Sequence, residues 1–219
     1  MDLNQYIDYT LLKPSATERN IINLCEEAKQ HHFYSVCVNS CFVPLAYQIL
    51  DSSSVKVCSV VGFPLGTMST EAKVFEAKKA IEDGAEEINM VINIGFLKSR
   101  NYFRVLKDIS DVKIAIGDIP LNVILEISEL SKNEIIMACE ICMDAKADFI
   151  KTSTGFSKSG ATLTAVKIMK KTVRDKLGIK ASGGISDYES VLKFIDAGAI
   201  GISTAFGVDI VNEKSESVV

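Results

Sequence analysis

The sequence has little of what membrane, nucleic-acid and secreted proteins usually carry. It has no tryptophan, two histidines and four prolines in 219 residues, and a formal net charge of −4 without an arginine-rich stretch. No apolar run approaches the roughly 18 residues of a membrane span, and Met1–Gln5 lacks the features of a signal peptide. We therefore expect a cytoplasmic protein that binds neither membrane nor nucleic acid.

The cysteines form neither a disulfide framework nor a metal-binding pattern. Cys139 and Cys142 make a C-x-x-C pair within a segment of helical spacing, but no second pair exists, and His31 and His32 lie far away in the sequence. Scattered cysteines in apolar sequence are usually reduced and buried. We expect no metal or redox role and interpret all six as packing residues: Cys25, Cys37, Cys41, Cys58, Cys139 and Cys142.

The chain is built from one repeated unit, a short β-rich run followed by an amphipathic helix. Hydrophobic residues make up 47% and charged residues 24% of it, an ordinary globular balance, and no linker divides it. Helical patterns occur at 17–31, 69–83, 131–146, 162–176 and 186–197. The predicted strands are Ile7–Tyr9, Ser35–Asn39, Lys56–Val61, Glu87–Ile92, Asn122–Glu126, Phe149–Ser153, Ile179–Gly183 and Ile200–Thr204.

Eight strands that alternate with helices indicate a parallel sheet, either open or closed. The count of eight favours closure, and no G-x-G-x-x-G follows the first strand, as a dinucleotide-binding sheet would require. We predict an α/β protein with the (β/α)8 TIM-barrel fold, a single domain over residues 1–219. In such barrels the chemistry lies at the carboxyl ends of the strands.

Two lysines stand within strands whose composition is otherwise suited to burial. Lys151 follows Phe149-Ile150, and Lys180 follows Ile179 on the next strand. Neighbouring cations in a barrel interior favour loss of a proton, and a neutral amine attacks carbonyl groups to form a Schiff base. The alternative is that each lysine extends to water at a strand end. Two lysines on consecutive strands favour the catalytic interpretation.

Small residues follow the last three strands. Turns of this kind hold phosphate through backbone N–H groups and hydroxyls, so we expect a phosphorylated substrate. The turns are Thr152-Ser153-Thr154-Gly155, Ser182-Gly183-Gly184 and Ser203-Thr204-Ala205.

Seven motifs together resemble one family over nearly the whole chain, the deoxyribose-phosphate aldolases. They are Ile7–Pro14, Val36–Asn39, Val60–Gly66, Met90–Gly95, Val123–Glu126, Asp148–Phe156 and Lys180–Ile185. The resemblance implies a class I aldolase, without metal or cofactor, that cleaves 2-deoxy-D-ribose 5-phosphate to acetaldehyde and D-glyceraldehyde 3-phosphate. It also implies a homodimer.

The resemblance assigns roles to individual positions. Lys151 matches the Schiff-base lysine, and Lys180 matches the second lysine, which lowers the pKa of the first and joins the proton relay. Asp8 falls on the amino-terminal active-site strand. Substrate or phosphate binding is expected at Thr10, Cys37, Thr152, Gly155, Gly183, Gly184, Ser203 and Thr204, with Cys37 matching a reactive cysteine of the family.

Five positions depart from the family pattern. Asn89 stands where the family has the aspartate that donates and accepts protons through a water; an amide can orient a water but cannot take a proton. Asn122 replaces a lysine and Ala205 a phosphate-binding serine, while Tyr9 replaces a histidine and Ser40 a proline. Loss of a positioned general base typically costs about 10²–10⁴ in rate. We therefore expect reduced activity.

Because of these five departures, two other functions remain open. One is a barrel that binds phosphosugars with little or no catalysis, and the other is an imine-forming lyase with a different substrate. Retention of both lysines favours imine formation in any case. For Cys37 the alternative role is core packing and for Asp8 the capping of a turn. Glu126 is either an active-site carboxylate or the ion-pair partner of a lysine.

Overall fold

The computed structural model describes residues 2–216. Its eight parallel strands pair in chain order, and β8 pairs with β1, so the sheet is a closed barrel. The prediction of a (β/α)8 barrel is therefore confirmed. The strands are β1 Ile7–Leu11, β2 Ser35–Val38, β3 Lys56–Val61, β4 Glu87–Val91, β5 Leu121–Ile124, β6 Phe149–Lys151, β7 Gly178–Ser182 and β8 Gly201–Thr204.

Helices connect the strands around the outside of the barrel. Short 3-10 turns at Leu3–Tyr6, Ser40–Phe42 and Ile127–Glu129 supplement them. The helices are α1 Glu18–Gln30, α2 Val43–Leu50, α3 Thr70–Glu82, α4 Ile94–Lys98, α5 Tyr102–Ile116, α6 Lys132–Asp144, α7 Leu163–Val173, α8 Tyr188–Asp196 and α9 Gly207–Glu216. No helix within residues 2–216 is both long and apolar enough to cross a membrane.

The helix ends show how local sequence defines these units. Thr17 and Asn20 cap α1 reciprocally, and Gly84 and Gly198 follow α3 and α8 with φ of 107° and 111°, a conformation that favours glycine. Ser186, at which the predicted helical pattern begins, is not the N-cap of α8. Asp187 caps α8 instead, accepting a hydrogen bond from the Ser190 amide at 2.8 Å, because its carboxylate occupies the position before the first helical residue.

The core has one layer inside the barrel and one between the strands and the helices. A buried ion pair crosses the outer layer: Lys73 of α3 lies 2.5 Å from Asp108 of α5 and donates to the carbonyl of Val91 at 2.9 Å. Of the six cysteines, five are buried as expected, but Cys41 is exposed on the turn before α2. The interpretation of all six as packing residues is therefore wrong for Cys41.

Candidate active site

A cavity of about 350 Å³ opens at the carboxyl ends of the barrel strands. Lys151, the last residue of β6, lies in its wall with 3% of its surface exposed. The sequence-predicted residues that line the cavity are Thr10, Cys37, Asn89, Lys151, Gly155, Gly183, Gly184, Ser203 and Thr204. The closed sheet thus brings these residues together from six of its strands and the loops that follow them.

The two lysines lie in register on β6 and β7, with Asp8 beside both. Asp8 Oδ2 is 3.7 Å from the Lys151 Nζ and 3.3 Å from the Lys180 Nζ. Lys180 does not line the cavity, because its ammonium group lies between Asp8 and Glu87 and contacts Glu87 Oε2 at 2.9 Å. Both carboxylates raise the pKa of Lys180, against the effect of its burial. Lys180 is therefore an ammonium group whose charge two carboxylates offset.

Asp8 is a buried carboxylate with a full set of partners, and it does not line the cavity. Ser35 and Ser203, its register neighbours on β2 and β8, donate hydroxyl hydrogen bonds to it at 2.8 and 3.0 Å. Burial raises the pKa of Asp8, but Lys180, Lys151 and these hydroxyls together hold it below its ordinary value. The alternative role of Asp8 as the cap of a turn is wrong, since it lies within β1.

A second buried carboxylate, Glu87, was missed from the sequence. It lies at the start of β4 with no exposed surface and accepts hydrogen bonds from the Tyr34 hydroxyl and from Asn122 Nδ2, the latter at 3.2 Å. Glu86, next to it, is exposed. Side chains alternate between the two faces of a strand, so Glu87 shares the inward face with Asn89. Knowledge of the strand register would have identified it.

Asn89 and Cys37 are in contact in the wall of the cavity. Asn89 Nδ2 donates to the Cys37 Sγ at 3.2 Å, and the Asn89 Oδ1 has no partner within residues 2–216. Cys58, the register partner of Cys37 on β3, lowers the pKa of Cys37, while its own thiol donates to the Ser59 carbonyl at 4.0 Å. Cys37 therefore faces the substrate space as well as packing against its neighbours.

The opposite side of the cavity consists of glycine-rich backbone. Gly155, Gly183 and Gly184 adopt positive φ of 84°, 92° and 74°. A Cβ added at Gly160 would lie 2.0 Å from the Gly183 carbonyl oxygen, so these loops are packed backbone against backbone. The Ser153 hydroxyl, which also lines the cavity, was not singled out from the sequence; it has no partner among the described residues.

Like Thr10 and Ser203, whose hydroxyls donate to Asp8, two further predicted binding residues use their hydroxyls within the protein. Thr152 does not line the cavity: its hydroxyl donates to the Ser182 carbonyl and accepts from the Ser182 amide, both at 2.9 Å. It joins the β6 loop to β7. Thr204 lines the cavity, but its hydroxyl donates to the Ile185 carbonyl at 2.6 Å. The expectation that Thr152 contacts the substrate directly is therefore wrong.

Glu126 follows β5 and helps to hold the loop after Lys151. It is 3% exposed, has a positive φ of 56° and accepts from the amide and hydroxyl of Thr154, while its Oε1 has no partner among the described residues. Burial raises its pKa above the ordinary value, although the Thr154 hydrogen bonds act in the opposite direction. Among residues 2–216 no lysine forms an ion pair with Glu126, so that alternative is wrong.

Replacement of Glu126 by glutamine tests this burial through pH. The pKa of Glu126 is higher in the folded protein than in the unfolded chain. The group therefore stabilises the fold at pH values below its unfolded-state pKa, and this stabilisation is lost as the pH rises through its folded-state pKa. We expect the unfolding free energy of Glu126→Gln minus that of the wild type to increase from pH 4 to pH 7 in urea titrations. Glu129→Gln is the control: hydrogen bonds from Lys158 and Ser157 lower the pKa of Glu129, so its difference should change only below about pH 4.5, where the carboxylate of an unfolded chain is protonated.

A difference that stays flat for Glu126→Gln over this range would contradict the conclusion that burial raises the pKa of Glu126.

The sequence matches one family over almost the entire described chain. A profile of DeoC/LacD family aldolases matches residues 3–211. The chain belongs to this aldolase family. It is 54% identical over 211 residues to the deoxyribose-phosphate aldolase of Finegoldia magna, covering 96% of this chain and 99% of that protein. It is 52% identical over 216 residues to that of Caldanaerobacter subterraneus, covering 97% and 94%.

Solved structures of aldolases have the same fold as this one. The aldolase QR15 superposes with a TM-score of 0.96 at 40% identity, over 100% of this chain and 98% of that one. A deoxyribose phosphate aldolase from Aeropyrum pernix, described as tetrameric, superposes with a TM-score of 0.91 at 32% identity, over 99% and 92%. Within residues 2–216 of this aldolase, no group of three His, Cys, Asp or Glu side chains is placed to hold a metal ion.

Proposed function

We propose that this aldolase cleaves 2-deoxy-D-ribose 5-phosphate reversibly into acetaldehyde and D-glyceraldehyde 3-phosphate through a Schiff base on Lys151. The observation that carries the proposal is the buried Lys151 amine in the wall of a cavity whose other side is glycine-rich backbone. A carbonyl at one end of the substrate and a phosphate at the other match these two sides. Family membership and the two relatives at more than 50% identity support the same reaction.

Lys151 attacks C1 of the open-chain sugar, and loss of water gives an imine. Acetaldehyde contains C1 and C2, so the bond that breaks is C2–C3. The C3 hydroxyl loses its proton as C3 becomes the carbonyl carbon of glyceraldehyde 3-phosphate, and the bonding electrons move to C2 to form an enamine. Protonation of C2 and hydrolysis of the resulting imine release acetaldehyde and restore the amine.

Asp8, Lys180 and Glu87 support this chemistry from below the cavity. Asp8 lies within 3.7 Å of the Lys151 amine and stabilises the positive charge of the iminium. Lys180 prevents Asp8 and Glu87 from facing each other as unpaired buried carboxylates. The reaction is tested by incubation with 2-deoxy-D-ribose 5-phosphate: acetaldehyde and glyceraldehyde 3-phosphate should appear in equal amounts, and failure of either product to form contradicts the proposal.

We assign phosphate binding to the backbone N–H groups after β6, β7 and β8, supplemented by Lys13. Lys13 is exposed at the rim, and among the described cavity-lining residues it and Lys151 are the two cations. We expect Lys13→Ala to raise KM for the phosphorylated substrate about threefold to tenfold with kcat nearly unchanged, the scale of an exposed charged contact. Steady-state kinetics with 2-deoxy-D-ribose, which lacks the phosphate, provide the comparison.

In that comparison Lys13→Ala should behave like the wild type on the sugar without phosphate. An equal loss on both substrates would show that Lys13 acts on something other than phosphate. Lys167→Ala, a change of an exposed lysine on α7, controls for loss of surface charge.

The assembly and the location of the protein are two further parts of the proposal. We retain a homodimer, since Phe75 on α3 and Phe103 and Ile114 on α5 leave more than 70% of their surfaces exposed on adjacent helices. Light scattering of the purified protein tests the dimer. We also retain a single aldolase domain over residues 1–219 and a cytoplasmic location, which cell fractionation tests.

A further inference from the structure

Few of the side chains that line the cavity can exchange a proton. Of the described residues that line it, the titratable ones are Lys13, Cys37 and Lys151, and none is a carboxylate or a histidine. The cleavage step requires an acceptor for the C3 hydroxyl proton and a donor for C2, and a general base must be within hydrogen-bond reach of the proton it takes. Asn89, where the family has its aspartate, cannot be that acceptor.

The surroundings of Cys37 favour its thiolate. One donor, the Asn89 side chain from β4, points at its sulfur, and Cys58 lies beside it in register on β3. The charged groups that face it are Lys151 on β6 and Asp8 on β1. The nearby Cys58 thiol lowers the pKa of Cys37 most; Lys151 and Asn89 lower it further, against burial and Asp8. Cys58 itself stays a thiol, since burial and Cys37 raise its pKa.

We propose that Cys37 is the catalytic acid–base of this aldolase, with Asn89 as the residue that positions it. The proposal rests on the aldolase function above and adds the group that moves the proton. Cys37 lines the cavity, and its sulfur lies 3.2 Å from the Asn89 amide nitrogen, which holds it in place.

The proton that leaves the C3 hydroxyl is the one that reaches C2. The Cys37 thiolate takes the proton of the C3 hydroxyl as C2–C3 breaks, which leaves a thiol, an enamine on Lys151 and free glyceraldehyde 3-phosphate. The thiol then returns the proton to C2, restoring the thiolate and giving the imine of acetaldehyde. Water hydrolyses this imine, so no oxidant, reductant or external acid is consumed.

Asn89 and Cys37 form a matched pair in this account. An aspartate at position 89 would place a negative charge in hydrogen-bond contact with the sulfur, and a like charge at that distance disfavours the thiolate. Asparagine instead donates a hydrogen bond to it. The two positions should therefore be energetically coupled, and the effect of changing Cys37 should depend on which residue stands at position 89.

A double-mutant cycle of Cys37→Ser and Asn89→Asp tests this coupling. Serine preserves the shape of the side chain but holds its proton far more tightly. In the Asn89 background we expect Cys37→Ser to lower kcat by roughly 10²–10⁴. In the Asn89→Asp background a carboxylate supplies the proton acceptor, so the same change should cost less than about tenfold. Equal losses in both backgrounds, or wild-type kcat for Cys37→Ser, would overturn the proposal.

Two further measurements separate proton transfer from folding and from imine formation. Cys37→Ser should still give a borohydride-trapped adduct on Lys151, but exchange of the acetaldehyde methyl protons with D2O should slow as much as kcat. Absence of a trapped adduct in the wild type would instead refute the proposed function. Loss of the adduct in Cys37→Ser would show a structural role and overturn this proposal. Cys41→Ser, at the exposed cysteine, is the control and should match the wild type.

Discussion

Replacing Lys151 with leucine is expected to lower kcat for cleavage of 2-deoxy-D-ribose 5-phosphate by roughly four to six orders of magnitude, the scale on which removal of a covalent nucleophile acts. Leucine fills similar space but has no nitrogen to form the imine. The Asp8 carboxylate, 3.7 Å from the Lys151 Nζ, retains Lys180, Ser35 and Ser203 as partners. We therefore expect the fold to survive, and coupled assays of both products give the rate.

The control for this change is Lys167→Leu, at an exposed lysine of α7, which should retain wild-type kcat. A Lys151→Leu variant that keeps more than about one hundredth of the wild-type kcat would contradict nucleophilic catalysis by this residue, since such a loss lies within the range of general acid–base assistance. Circular dichroism on the same sample confirms that the variant is folded.

Replacing Lys180 with methionine is expected to destabilise the protein as well as slow it. The ammonium group is 3% exposed and contacts Asp8 and Glu87, which are as deeply buried. It is the one ammonium group that the described residues place within ion-pair distance of Glu87. Removing one partner of a buried ion pair costs about 3–5 kcal/mol because an uncompensated charge stays behind. Urea unfolding at pH 7 measures this loss.

A second substitution shows whether the loss comes from the unpaired carboxylate. Lys180→Met combined with Glu87→Gln removes both charges, so we expect it to recover part of the stability while kcat stays low, because Asp8 is left without the cation that orients it. Lys98→Met, which breaks an exposed ion pair of 2.7 Å with Glu134, should cost no more than about 1 kcal/mol. A loss for Lys180→Met as small as that of the control would contradict the account of this network.

The register of the strands explains which parts of the site the sequence could predict. The lysines at 151 and 180 were identified because a charged residue within an apolar strand is unusual, and both are buried and paired in register on adjacent strands. Glu87 was missed because two glutamates follow each other at the start of β4. Which of them faces inward depends on the register, which pairs Cys58 with Glu87.

Helices were predicted where their caps and amphipathic spacing were clear. The helix α5, Tyr102–Ile116, was missed although it is the longest of those described, and Phe103 and Ile114 on its outer face are exposed. Its buried residues Val105, Ile109, Val112 and Ile116 follow the 3.6-residue period, so the sequence carried the signal for this helix. The helix α2 was missed because it has eight residues and begins beside Pro44, too short for a clear period.

The contacts of hydroxyl groups also depended on tertiary structure. Thr152 and Ser153 look equivalent in the sequence, yet Thr152 bonds to the backbone of Ser182 while Ser153 lines the cavity. Successive side chains at the end of a strand point in opposite directions. Which of the two side chains faces the cavity follows from the direction in which Lys151 points. That direction is defined by the barrel and not by the local sequence.

The central claim is that substrate becomes covalently attached to Lys151, and borohydride trapping tests it most directly. The protein is incubated with 2-deoxy-D-ribose 5-phosphate, reduced, digested and analysed by peptide mass spectrometry, with Lys151→Leu as the matched sample. We expect a substrate-dependent adduct on the peptide that contains Lys151, absent from the variant. Full turnover without any trapped adduct, or an adduct found on Lys180 instead, would contradict the account.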